Sequence, residues 1–141
     1  MSEVTARAAI KTALDGVNQI GVVHDYDRWS NDWGAFLSQF KWRDLIRTWM
    51  ITCNAIGLEE QVLDGSVQER FTYLIRGFFG LADADKTEID AIAKVIEVRD
   101  ALVAITTLIS EQPQVTTFEL RTFGGVFCHY AEITFEVVEN V

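Results

Sequence analysis

The sequence predicts an α+β fold: a single domain over residues 1–141, with a mainly antiparallel sheet and helices packed on one face. Three observations predict it. Apolar residues recur at helical spacing near the start of the chain and again after residue 87. Several other segments alternate apolar and polar side chains with a period of two, as half-buried strands do. The last two of these flank Gly124-Gly125, a pair able to take the positive φ angles of a tight hairpin turn. With 141 residues, 49% of them hydrophobic, the chain is long enough to bury one core.

The elements follow in order. From Glu3 to Leu14, Ala6, Ala9, Ile10, Ala13 and Leu14 form an apolar stripe, and Gly16 is a plausible stop. "IGVVHDYDRW" predicts a short strand over Ile20 to Tyr26 that runs into a loop. Ser30 or Asn31 caps a helix to about Phe40, with Trp33, Phe36, Leu37 and Phe40 on one face. In "RTWMITCNAI", Trp49, Ile51, Cys53 and Ala55 share one face of a strand, opposite Thr48, Thr52 and Asn54. In "RFTYLIRGFFGL", Phe71, Tyr73, Ile75 and Phe79 alternate with Thr72, Leu74, Arg76 and Phe78. That second face is only partly polar, so the strand is either covered on both sides or carries an interface. Between these strands, "GLEEQVLDGSVQE" is expected as an acidic loop.

Thr87 to Ile109 is the strongest helical signal. Thr87 with Asp90 is a variant of the [ST]-x-x-[DE] start. Asp90, Lys94 and Glu97 mark a polar stripe, while Ile92, Ile96 and Val103 are expected to pack on the sheet. Pro113 is expected as the stop beyond that helix. "VTTFELRTF" and "VFCHYAEITFEVVE" then form the final hairpin, with Ala131, Ile133, Phe135 and Val137 facing the core and Glu132, Thr134 and Glu136 facing away.

Composition narrows the function. Twelve Lys and Arg stand against 21 Asp and Glu, a formal net charge of −9. A basic face for gripping nucleic acid is not expected, and an acidic surface repels DNA phosphate. No apolar run reaches membrane-spanning length, and "MSEVTARAAIKTALDGVNQIG" reads as an amphipathic helix of a cytoplasmic product rather than a signal peptide. Cys53 and Cys128 make no disulfide framework and are expected as buried free thiols.

The richest chemistry lies in "HDYDRWSNDW", residues 24–33. Asp25 and Asp27 stand at the first and third positions of a calcium loop, but Trp29 and Ser30 occupy the places of an oxygen ligand and a glycine. His24 and His129 could meet only if their strands are neighbours, and then with Asp25 or Asp27 would make a two-His-one-carboxylate set. Cys128 stands beside His129, yet neighbours on a strand face opposite sides. Phosphate loops and nucleophile elbows are absent from the sequence, so no cofactor and no metal are expected. Tyr26, Arg28, Trp29, Trp33 and Trp42 remain. Such residues dominate the energetic centres of protein interfaces, and they also complete small cores; both readings stay open here.

"IGVVHDYDRW", "RTWMITCNAI" and "FGGVFCHYAEITFEVVE" together resemble small tail-assembly proteins of long-tailed bacteriophages and prophages, and the order of elements is similar to that of the tail terminator, or tail completion, family. The resemblance spans Val4 to Val138. It implies a structural protein without catalytic residues. Such a protein forms a ring, commonly a hexamer, on the head-proximal end of the tail tube, meets the tail tube protein and the head connector, and lets DNA pass through its centre. It implies residence in the virion, and in the host cytoplasm during assembly. The rival from another class is a small α+β enzyme or ligand-binding module built on His24 and His129, and a further option is another neck or tail adaptor.

Overall fold

The computed structural model describes residues 3–26, 41–42, 45–60, 65, 67–80, 87–105, 109–123 and 126–140. The elements are α1 (Glu3–Asp15), β1 (Val22–His24), β2 (Lys41–Trp42), β3 (Leu45–Glu60), β4 (Val67–Gly80), α2 (Thr87–Val103), β5 (Ile109–Phe123) and β6 (Val126–Asn140). The sheet runs β1-β3-β4-β6-β5, with β2 paired to the start of β3. β1 joins β3 in parallel, and the other pairings are antiparallel. The expected α+β class is what the chain adopts: one layer of sheet and one of helices.

Alternation in the strands builds the core. Trp49 and Ile51 of β3, Phe71, Tyr73, Ile75 and Phe79 of β4, and Ala131, Ile133, Phe135 and Val137 of β6 all point to the helical side. Ala6, Ile10 and Leu14, four residues apart along α1, meet them, as do Ala91, Val95, Val98 and Leu102 of α2. α1 ends where expected, the Gly16 N–H donating to the Thr12 carbonyl at 3.2 Å.

Length explains what stays uncovered. β3 has 16 residues, about 53 Å of strand. α2 has 17 residues but spans only about 25 Å, because a helix rises less than half as far per residue. The helices therefore cover the middle of the sheet. Ile56 and Leu58 of β3 lie past a register shift between Cys53 and Ala55, and are 73% and 71% exposed.

Several expectations need correction. Gly57–Glu60 and Val67–Glu69 are not loop: they pair with one another as the outer ends of β3 and β4. Their acidic residues gave no apolar alternation to read because these ends lie beyond the helix layer. α2 stops at Val103, and Ile109 opens β5. Pro113 lies within β5 rather than terminating a helix. Among the described residues β5 ends the sheet path, a place that tolerates a residue without an N–H, and the register shifts on either side of Gln114. Ile92 and Ile96 do not pack on the sheet, being 40% and 41% exposed, and Val103 is only half-buried. The buried face of α2 is instead Ala91, Lys94, Val95, Val98 and Leu102. The strand expected over Ile20 to Tyr26 is shorter, Val22–His24. The helix expected to run to Phe40 and the Gly124-Gly125 turn lie outside the described residues.

The partly polar face of β4 is covered where it is most apolar. Phe78 is buried there with Met50 and Tyr130, with Ile46 packed against them. The Phe78 and Tyr130 rings meet edge-on, centroids 5.3 Å apart.

Candidate functional site

Asp25, just after β1, is held by α1. Arg7 of α1 donates through Nη1 to the carbonyls of Asp25 (2.8 Å) and Ile51 (3.1 Å), bridging α1, the end of β1 and β3. Directly beyond this anchor, Tyr26 is 54% exposed. Of the other aromatic-loop candidates, Arg28, Trp29 and Trp33 lie outside the described residues. Trp42 is in β2, its backbone paired with Leu45.

The two histidines are not brought together. His24 pairs with Met50, which places it on the face away from the helices, and β3 and β4 stand between β1 and β6. His129 is buried on the helical face. Its Nε2 lies 3.0 Å from the Thr87 hydroxyl at the start of α2, and its ring stacks on Phe118, centroids 6.2 Å apart. His129 therefore ties the first turn of α2 to the sheet. Cys128, its neighbour, turns to the opposite face beside Arg121, and burial pushes its thiol up to about 11. A thiol so disposed to stay neutral is a poor nucleophile. Among the described residues, no three His, Cys, Asp or Glu side chains stand close enough to hold a metal ion. No helix among them is long and apolar enough to cross a membrane.

The polar face of the sheet carries a network of charges. The Tyr130 hydroxyl donates to Glu132 Oε1 at 2.6 Å, and the Arg121 guanidinium lies over the Tyr130 ring, 4.2 Å from its centroid. Arg121 Nε also donates to Glu119, and Arg70 pairs with Glu136 at 2.6 Å. Each carboxylate here faces a donor, and the arrangement is that of a solvated sheet face.

Exposed apolar side chains are the feature that stands out. Ile89, Ile92 and Ile96 occupy the flank of α2 above β5, and Val115, Leu120 and Phe127 continue the surface along the sheet. These six side chains are between 38% and 66% exposed, and apolar patches on the surface of a monomer are often functional. Within the patch lies a groove of about 260 Å³ lined by Ile92, Val95, Ile96, Val115 and Phe118. Sequence reasoning missed it because α2 is apolar around most of its circumference. Periodicity could not separate the third that meets the sheet from the third beside it.

No protein-family model matches the chain, and no curated protein matches it significantly.

Proposed function

We propose that this chain is a structural protein of long-tailed bacteriophage particles, a tail terminator that works by self-association into a ring. The ring, of hexameric size, caps the tail tube at its head-proximal end, stops tube growth and offers a surface to the head connector. One observation carries the self-association: large apolar side chains are exposed both at the outer end of β3 and on the α2–β5 flank. Two distinct patches on one chain suit a head-to-tail contact, which closes into a ring when the rotation between copies allows. The aromatic stretch, with Tyr26, Arg28, Trp29, Trp33 and Trp42, is assigned to contacts with a neighbouring subunit or the tail tube. The net charge of −9 suits a conduit through which DNA slides without sticking. The rival built on His24 and His129 loses its residue pair, since the two stand on opposite faces of the sheet.

The reading is tested by removing the protein from its own phage. Without it, tails of uncontrolled length that fail to join heads are expected. Tails of normal length on filled heads would refute the assignment. The variants Trp29→Ala and Arg28→Ala are expected to remain folded and to reproduce the defect.

A further inference from the structure

We infer that β5 pairs antiparallel with β5 of a second copy of this chain, about a two-fold axis at Leu120, and so joins two sheets into one. The inference stands apart from the tail role. This contact is isologous and describes the free chain, whereas a ring closes through head-to-tail contacts. Among the described residues β5 ends the sheet path. An edge strand offers a row of backbone donors and acceptors to any strand that can add to it, and natural edges are blunted by proline, bulges and lysine. In β5 the proline and all three register shifts lie between Ile109 and Thr117. From Thr117 to Phe123 the seven pairs with β6 run without a shift. That stretch holds no proline, glycine or lysine. Glu119, Leu120, Arg121 and Thr122 within it are exposed.

Register and charge select the occupant. When a strand pairs with its own copy about a two-fold axis, one residue stands opposite itself, and residues equally far to either side oppose one another. The uninterrupted stretch from Thr117 to Phe123 is centred on Leu120, so a two-fold there overlaps all of it. The same register sets Glu119 opposite Arg121 of the second copy, twice by symmetry. Centring on Glu119 or Arg121 would oppose like charges, and centring on Phe118 or Thr122 would leave both charges without a charged partner opposite. Directly opposed side chains have Cβ atoms ~4.5–5.5 Å apart, near enough for unlike charges to attract and like charges to repel. Glu119 and Arg121 pair with each other within the chain, with side chains 47% and 43% exposed. The second copy extends that pair into an alternating row of four charges. On the other face of the sheet Leu120, 55% exposed, meets its own copy. The pattern is complementary to itself, which singles out a second copy over an unrelated strand.

The test is sedimentation equilibrium on the full chain and on charge-reversed variants. The wild-type chain is expected at the mass of two copies. Arg121→Glu sets carboxylate against carboxylate, and Glu119→Arg sets guanidinium against guanidinium. Each is expected to weaken association at least about tenfold, because two opposed pairs turn repulsive at once. The double exchange, Glu119→Arg with Arg121→Glu, is expected to restore the two-copy mass. Circular dichroism confirms the fold, which changes at an exposed ion pair leave intact. Register is read by cross-linking in a Cys53→Ser background. Leu120→Cys is expected to link to its own copy through a short bismaleimide, and Thr116→Cys, about 27 Å from its copy in this register, is not. A wild-type mass other than two copies, a two-copy mass that survives both reversals, a double exchange that fails to restore it, or linking at Thr116 rather than Leu120 would each overturn the inference.

Discussion

The indole of Trp49 lies over Gly77, its paired neighbour on β4, so closely that a Cβ at Gly77 would sit 2.8 Å from the ring carbons. Phe79 then meets the same indole edge-on, centroids 5.6 Å apart. The bare glycine lets the largest buried side chain of the core lie against the sheet. Gly77→Ala is therefore expected to cost about 1–3 kcal/mol, the usual range for overpacking a filled core. Urea unfolding measures it. A change under about 0.5 kcal/mol would mean that the indole shifts freely.

Arg47 joins three elements. Its guanidinium pairs with Asp90 of α2, donates to the Gln19 carbonyl at 3.1 Å and lies 5.6 Å from the centroid of Phe79. Arg47→Met keeps much of the aliphatic stem and removes the donors. A loss of about 1.5–3 kcal/mol is expected, the range for hydrogen bonds to charged groups. Because Asp90 is partly exposed, salt screens only part of that loss. Gly21→Ala strikes the same junction from the backbone side: Gly21 has φ +90° and faces the Arg47 carbonyl at close range. It is expected to destabilise at least as much, by the same unfolding assay.

The faces of α2 make opposite predictions. Leu102→Ala opens a cavity in the core and is expected to cost about 2–5 kcal/mol. Ile96→Ala is expected to fall within about 0.5 kcal/mol for the folded monomer, as at an ordinary surface site, while weakening self-association. Equal costs at the two positions would contradict the helix orientation.

Alkaline pH is expected to destabilise the fold. The unfolded Cys128 thiol ionises near its ordinary 9.0, whereas burial holds the folded thiol to about 11. Between those values the unfolded chain has released a proton that the folded chain keeps, so raising pH favours unfolding. Tyr130 acts in the same direction, its hydroxyl raised by burial and by donation to Glu132. Stability measured from pH 8 to 11 should fall, and should fall less in Cys128→Ala. A flat profile would contradict the burial of both groups.

Much of the fold was legible in the sequence, because β4 and β6 alternate cleanly: one face of each was destined for the helices. Other parts were not. The outer ends of β3 and β4 project past the helix layer, so Gly57–Glu60 and Val67–Glu69 carry charges where a covered strand would show alternation. Pro113 resembles a helix stop to any local reading, and only its place on an edge strand makes it tolerable in a sheet. Ile96 was expected on the sheet from spacing alone, and Leu58 in an acidic loop, yet both are exposed apolar side chains of regular elements. Exposure of an apolar side chain depends on which elements lie over it, and that is a property of the assembled layers.

The most direct measurement is electron microscopy of the purified protein added to tail tubes of the same phage. A closed ring on one end of each tube, with further tube growth halted, is the expected result. Tubes that stay bare and keep growing at saturating protein, or protein bound along their length, would contradict the terminator role.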